Sequence, residues 1–153
     1  MSLLEVNHLK KIYTARYGGN SVQALADVNF TIENGEYTAI MGESGSGKTT
    51  LLNIIATLDR PTSGTVRLEG QELSTIPERR RAEFRRKNLG FVFQDFNLLD
   101  TFSIRDNILL PLVLDRMDLR EMDRRLKMLS EQLGLGELLD HYPYEVSGGQ
   151  KQR

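Results

Sequence analysis

The sequence contains no cysteine, which excludes a disulfide framework and a thiolate metal site. It has no excess of charge of one sign, because its formal net charge is −1, and this gives no global attraction toward nucleic acid. The longest apolar run, Ile108 to Leu114, contains Pro111 and is too short to cross a bilayer. The N-terminal residues do not resemble a signal peptide. We therefore expect one soluble domain, or part of one, that reaches a membrane only through a partner.

A phosphate-binding loop is present at residues 42–49, where Gly-Glu-Ser-Gly-Ser-Gly-Lys-Thr matches the motif at every position. Glu36 to Met41 before it predict a buried strand, and Lys48 to Ala56 after it predict a helix. A strand, a glycine-rich loop and a helix in this order direct backbone N–H groups and a helix N-terminus at one anion. The sequence therefore predicts nucleotide binding.

The side chains of this loop predict separate roles. Its glycines permit backbone conformations that a Cβ would oppose. The Lys48 ammonium is expected near the β- and γ-phosphates, and the Thr49 hydroxyl is expected on Mg²⁺. The candidate phosphate-binding residues are Gly42, Ser44, Gly45, Ser46, Gly47, Lys48, Thr49 and Thr50.

The remaining pattern predicts a β-rich first part, about residues 1–94, and a helical second part, about residues 95–153. The predicted strands are Leu3 to Leu9, Ala24 to Ile32, Thr65 to Glu69 and Leu89 to Phe93. Turns are predicted at Asn34-Gly35 and Pro61 to Gly64, and a loop or hairpin tip is predicted at Thr14 to Ser21. The predicted helices are Pro77 to Lys87, Ile104 to Leu110 behind the N-cap Ser103, and Asp118 to Leu133.

Two features of these helices have alternative interpretations. The last helix has an apolar stripe, formed by Leu119, Met122, Leu126, Leu129 and Leu133, which either binds a partner or packs into the domain's own core. We favour the core. The basic residues 79–81 and 85–87 form either a nucleic-acid patch or a solvated helix face, and the acidic residues among them favour the solvated face.

A second glycine motif, Val146-Ser147-Gly148-Gly149-Gln150, stands near the C-terminal end of the sequence. Ser147 has the chemistry of an N-cap, which would make this segment a second anion-binding helix start. By itself this five-residue motif is equally compatible with a solvent-exposed loop.

Together, the two motifs resemble the ATP-binding subunit of ABC transporters over essentially the whole chain. Val146 to Gln150 are similar to the signature motif, and Gln94 falls at the Q-loop glutamine. Tyr13 falls at the aromatic position that stacks on adenine, and Tyr17 is the alternative residue for this position. The likeness is closest to the subgroup for bacitracin-type peptide export and resistance, while macrolide and lipoprotein exporters have similar ATPases. It rests on residues 83–85, 89–91, 93–95, 97–100 and 147–153.

The resemblance implies an α/β P-loop NTPase of the ABC ATPase type, with an antiparallel β subdomain, a partial RecA-like core and a helical subdomain. It implies ATP and Mg²⁺ as ligands and a head-to-tail dimer, in which Ser147, Gly148, Gly149 and Gln150 touch the ATP of the neighbour. Lys48 and Gln94 would be catalytic, with Gln94 reaching Mg²⁺ and coupling the nucleotide to a transmembrane permease. The subunit would be cytoplasmic and held at the inner face of the membrane by that permease.

The chain departs from the family pattern after Arg153, because the acidic strand motif and the switch histidine are not present. His8 and His141 both precede the signature, so neither is that histidine. We expect no hydrolysis by this chain alone, and we expect two core strands with unpaired edges that favour association over a lone monomer. We favour a piece of a longer exporter ATPase, left either after proteolysis, since Lys151 and Arg153 are trypsin-type sites, or after deliberate trimming of the protein.

Two other interpretations stay open. The first is a short, non-hydrolysing nucleotide-binding module that regulates a full-length partner. The second is a soluble ABC ATPase of DNA repair or translation, although the coiled-coil insertion or second cassette typical of that class is not present.

Overall fold

The computed structural model describes residues 2–14 and 20–153, so Tyr17 lies outside the described residues. The chain forms two compact units, Met1–Leu89 and Gly90–Arg153. The first unit contains a β-sheet with two helices, and the second is helical. Among the residues described, no helix has both the length and the apolar character needed to cross a membrane.

The first unit is organised by a four-stranded antiparallel sheet with the strand order β2-β1-β3-β4. The strands are β1 (Ser2–Tyr13), β2 (Val22–Glu33), β3 (Ser63–Leu68) and β4 (Gln71–Glu72). Three of them confirm predicted strands, and the pairing of β1 with β2 confirms that the chain reverses between them. Asn34 and Gly35 form the predicted turn, with Gly35 at φ 80°.

A bulge in β1 changes which residues face the core. Leu4 and Val6 are buried before it and Leu9 is buried after it, so the inward positions change from even to odd numbers. The pairing of β1 with β3 is irregular between Asn7 and Lys10, and His8 takes φ 49° within this gap. The extra residue of a bulge has this effect because side chains alternate along a strand. The His8 side chain is exposed.

Two helices flank this sheet in the chain, α1 (Lys48–Ile55) and α2 (Glu78–Asn88). Leu51 and Ile54 of α1 are buried in one cluster with core residues of the sheet. The expectation that the basic residues of α2 form a solvated face is wrong for Arg81, which is buried and donates from Nε to the Ile76 carbonyl at 3.3 Å. Arg85 also donates to the Thr57 carbonyl, at 3.4 Å. Guanidinium groups therefore tie α2 to neighbouring loops of the same unit.

Two predicted core strands do not form in this structure. Residues 36–41 and 89–93 have no sheet partner among the described residues, and they are not strands. Their apolar side chains are largely uncovered, since Tyr37 is 97% exposed, Met41 88% and Val92 77%. A strand exists only through the hydrogen bonds of a neighbouring strand, so the apolar pattern alone could not produce one here. The uncovered apolar surface was expected from the sequence.

The second unit contains α3 (Ile104–Leu114), α4 (Leu119–Leu133) and α5 (Gly148–Gln152). Ser103 caps α3 as predicted and forms a reciprocal capping box with Asp106. The first N–H groups of α3 are satisfied from outside the helix, because Ile104 donates to the His141 carbonyl and Arg105 donates to the Leu139 carbonyl, both at 2.8 Å. These bonds attach the segment before α5 to the start of α3.

The apolar stripe of α4 packs into the core of its own unit only in its middle. Met122 and Leu126 are buried, whereas Leu119 is 74% exposed and Leu129 and Leu133 are about half as exposed, at 41% and 40%. Gly134 ends the helix in the left-handed conformation, at φ 62°, as predicted. The preferred interpretation is thus confirmed for two of the five residues and wrong at both ends of the helix.

Leu126→Ala and Leu119→Ala form a matched pair that tests this packing. Both remove the same atoms from α4. We expect Leu126→Ala to lower the free energy of unfolding by about 2–5 kcal/mol because it opens a cavity. We expect Leu119→Ala to change it by less than about 0.5 kcal/mol. Urea unfolding followed by circular dichroism measures both, and equal losses would show that Leu119 is covered in solution.

Candidate functional site

The candidate phosphate loop, residues 42–47, leads directly into the first turn of α1. The Ser46 N–H donates to the Glu43 carbonyl at 3.2 Å, which closes a turn within the loop. Gly47 is the N-cap of α1, and its carbonyl accepts from the Leu51 N–H at 2.9 Å. The N–H groups of the first helical turn have no acceptor within the helix, so they present partial positive charge to the loop.

Gly47 holds the loop against β2. Its φ is 90°, and a Cβ at this position would overlap the Ala24 carbonyl oxygen and come within 2.8 Å of Leu25 Cδ2. Gly45 also has a positive φ, 82°, but a Cβ there would meet nothing within 4 Å. Among the glycines of this loop, Gly47 is therefore the one that combines the left-handed backbone with a close approach to a strand.

Lys48 is folded over the inner side of the loop. Its ammonium donates to the Gly42 carbonyl at 2.8 Å, to the Glu43 carbonyl at 2.6 Å and to Ser46 Oγ at 3.2 Å. These three acceptors are uncharged, so they leave the positive charge of Lys48 unneutralised. No carboxylate is among these acceptors.

The hydroxyl-bearing residues of the loop and of α1 differ in solvent exposure. Ser44 and Thr49 are exposed, while Thr50 is half-buried. In the part of the chain that the structure describes, no group of three or more histidine, cysteine or carboxylate side chains could hold a metal. Thr49 therefore offers one exposed oxygen ligand rather than a complete metal site.

Tyr13, the predicted base-stacking residue, stands at the end of β1 and is 43% exposed. Its hydroxyl donates to Asp59 Oδ2 at 2.8 Å, and the Lys11 ammonium lies 4.7 Å from the centroid of its ring. Burial of Asp59 opposes its charge, but the hydrogen bonds from Lys11 and Tyr13 keep the pKa of Asp59 below its ordinary value. The sequence did not reveal Lys11 and Asp59, because they are far apart in the chain.

Gln94 lies in the second unit, in a turn that follows residues 90–93, which have no regular secondary structure, and it is exposed. Phe96 and Asn97 directly after it have positive φ values, 60° and 54°. Such values are uncommon for residues other than glycine. The strand predicted directly before Gln94 does not form, since residues 89–93 are not in a strand.

Ser147 caps α5 as predicted. Its Oγ accepts from the Gln150 N–H at 3.3 Å, and Gln150 Oε1 accepts from the Ser147 N–H at 2.7 Å. Val146 is buried against Ile104 and neighbouring residues, whereas Gly148 and Gly149 are exposed. The segment is thus a helix start anchored from its N-terminal side, and the solvent-loop interpretation is wrong.

Comparisons with known proteins agree with these motifs. The family described as ABC transporter matches residues 25–153. Over 153 residues the chain is 52% identical to the ABC transporter ATP-binding protein YvcR of Bacillus subtilis, covering 100% of this chain and 59% of that protein. It is 42% identical to the bacitracin export ATP-binding protein BceA of Halalkalibacterium halodurans, and this match covers 100% of this chain and 60% of that protein. The chain therefore spans about three fifths of these relatives.

A solved structure shows the same likeness in three dimensions. It is the dimeric, post-hydrolysis state of the ATP-binding cassette MJ0796, bound to ADP and Pi. The match has a TM-score of 0.87 and 35% sequence identity, and it covers 97% of this chain and 65% of that chain. The predicted fold type is confirmed by this agreement.

Gly47→Ala and Gly45→Ala together test how the loop is seated on β2. Alanine at either position bears the left-handed backbone cost, about 1–2 kcal/mol. Only Gly47→Ala also forces a methyl group into the Ala24 carbonyl, so we expect it to lower the free energy of unfolding clearly more than Gly45→Ala does. Urea unfolding measures both variants. Equal losses would contradict the close contact between the loop and the strand.

Proposed function

Because the chain belongs to the ABC transporter family, we propose that it binds MgATP through residues 42–50 and acts in the ATP-binding subunit of a transporter. The observation that supports this most directly is the Lys48 ammonium, held on three uncharged oxygens at the mouth of a loop that begins a helix. An ammonium in this position and the N-terminus of α1 both favour a polyphosphate.

The phosphates would replace the oxygens that Lys48 now contacts. Its ammonium is on a flexible stem and can exchange carbonyl acceptors for the β- and γ-phosphate oxygens. Backbone N–H groups at the start of α1 would donate to the same phosphates, with no side-chain charge needed. The loop residues Ser44, Ser46 and Thr50 would add hydroxyl contacts around them.

Mg²⁺ would arrive with the nucleotide. Thr49 supplies an exposed hydroxyl in the first turn of α1, and phosphate oxygens and waters ordinarily complete the shell of this ion. When bound, Mg²⁺ would neutralise charge that develops on the phosphates. Gln94 is proposed as a second contact, either to the ion or to its water.

The second glycine motif is proposed to serve a neighbouring subunit. The N–H groups at the start of α5 would face the γ-phosphate of an ATP held by the loop of that neighbour. Exposure of Gly148 and Gly149 supports this, since the backbone at both positions is accessible. The dimeric state of MJ0796 with ADP and Pi is consistent with such an arrangement.

We further propose export of an antimicrobial peptide as the process that ATP drives, on the basis of the relative named for bacitracin export. The subunit would associate with a transmembrane permease at the inner face of the cell membrane, with Gln94 between the nucleotide and that permease. The absence of hydrolysis by these 153 residues alone stays a prediction, and release of phosphate from ATP measures it.

Lys48→Ala and Lys10→Ala test the site with the same change of charge. Lys10 is exposed on β1, outside the loop. A hydrogen bond to a charged group is worth about 1.5–3 kcal/mol, so we expect Lys48→Ala to weaken MgATP binding at least about tenfold. Lys10→Ala should leave binding unchanged. Isothermal titration calorimetry measures both, and wild-type affinity in Lys48→Ala would exclude the loop as the site.

Ser147→Ala tests the proposed role in a neighbouring subunit, with Ser103→Ala as its control. Both remove an N-cap that forms a capping box, so both cost about 1 kcal/mol of stability. Only Ser147→Ala should reduce ATP-dependent association of two chains in sedimentation velocity, while MgATP binding by one chain stays at the wild-type level. Equal reduction of binding and association would contradict action on the nucleotide of a neighbour.

A further inference from the structure

Two charged side chains hold Tyr13. The two oxygens of the Asp59 carboxylate are divided between its neighbours, because Oδ1 accepts from Lys11 at 2.6 Å and Oδ2 accepts from the Tyr13 hydroxyl at 2.8 Å. Lys11 also donates to the Arg60 carbonyl at 2.7 Å. Lys11 and Tyr13 lie on β1, whereas Asp59 lies in the loop after α1, so the contact joins two elements of the unit.

These contacts leave the Tyr13 ring little freedom. Its hydroxyl end is anchored, and the Lys11 ammonium is 4.7 Å from the ring centroid, within the range of a cation–π contact. Lys11 is 12% exposed and Asp59 28% exposed, so water competes only weakly for either group. Tyr13 itself keeps 43% of its surface exposed. One face of the ring is therefore covered by a cation, which leaves only the opposite face for stacking with a flat ligand.

We propose that Asp59 is a positioning residue that holds Tyr13 ready for a nucleobase, with Lys11 closing the face that the base does not use. This inference rests on the proposed function, because the base belongs to the ATP whose phosphates occupy the loop. The gain in affinity for the nucleotide comes from pre-organisation, since a ring ordered before binding loses less conformational entropy when the base stacks. Asp59 does not touch the nucleotide.

The inference is tested with two probes that share the phosphates and differ in the base, MgATP and magnesium tripolyphosphate. Asp59→Asn keeps the shape of the side chain and loses its charge, so it weakens the hydrogen bonds from Lys11 and Tyr13. We expect it to lower the affinity for MgATP about three- to tenfold, the range typical of one ordered side chain. Affinity for tripolyphosphate should stay within about twofold of wild type. Asp27→Asn, which makes the same change at an exposed carboxylate on β2, should change neither affinity.

Tyr13→Phe tests the anchoring of the ring by Asp59 separately from the stacking of the ring on the base. It keeps the ring but removes the hydroxyl that Asp59 accepts from, so it should reproduce the loss of Asp59→Asn. The double variant should lose no more than either single variant, because both remove the same interaction. Tyr13→Ala should abolish the advantage of MgATP over tripolyphosphate. Quenching of ethenoadenosine triphosphate fluorescence reports the stacking itself and should decrease in Asp59→Asn.

Other outcomes would overturn the inference. Equal weakening of both probes in Asp59→Asn would show a purely structural role, and unchanged MgATP affinity would show no role. If Tyr17→Ala, rather than Tyr13→Ala, removed the advantage of MgATP, the base would lie elsewhere. Failure of the wild-type chain to bind either probe would instead contradict the proposed function. Binding of tripolyphosphate as tightly as MgATP would leave that function standing and refute the positioning role.

Discussion

The packing of α1 on the antiparallel sheet is the constraint on which the first unit depends. Leu51 and Ile54 are buried among the side chains of β1, β2 and β3, so the helix cannot move without exposing the core. Gly47 fixes the N-terminal end of α1 on β2, and Asp59 fixes the loop beyond its C-terminal end to β1. The sheet thereby fixes the position of the phosphate loop and that of the aromatic ring of Tyr13, which lie far apart in the chain.

Two lysine side chains near α1, Lys48 and Lys11, have their charges arranged in different ways. Lys48 is held by uncharged oxygens, so its charge remains to attract an anion. Lys11 is paired with a carboxylate, and its charge is largely neutralised while its position is fixed. The first arrangement suits a group that must change partners when a ligand binds, and the second suits one that must stay in place.

Capping hydrogen bonds determine where two helices of the second unit, α3 and α5, begin. Reciprocal hydrogen bonds between Ser103 and Asp106 start α3, and the same pattern between Ser147 and Gln150 starts α5. The link between these two helix starts is the segment 139–141, whose carbonyls accept from the first residues of α3. Because α5 is too short to be stable on its own, its position depends on these contacts and on the buried side chain of Val146.

The sequence by itself determined those features that depend on neighbours in the chain. The phosphate loop, the N-caps Ser103 and Ser147 and the end of α4 at Gly134 were all predictable, because each depends on residues that are close together in the chain. The stripe of α4 was predictable as a helix face, but its periodicity could not show that Leu119 stays exposed.

Only the tertiary structure decided the features that need a distant partner. Residues 36–41 and 89–93 have the apolar pattern of strands, yet a strand requires a second strand beside it, and none is present among the described residues. The burial of Arg81 and the contact of Asp59 with Tyr13 likewise follow from how the elements pack. Local patterns specify conformation through short-range sterics and hydrogen bonds, whereas pairing and burial depend on which surfaces the folded chain brings together.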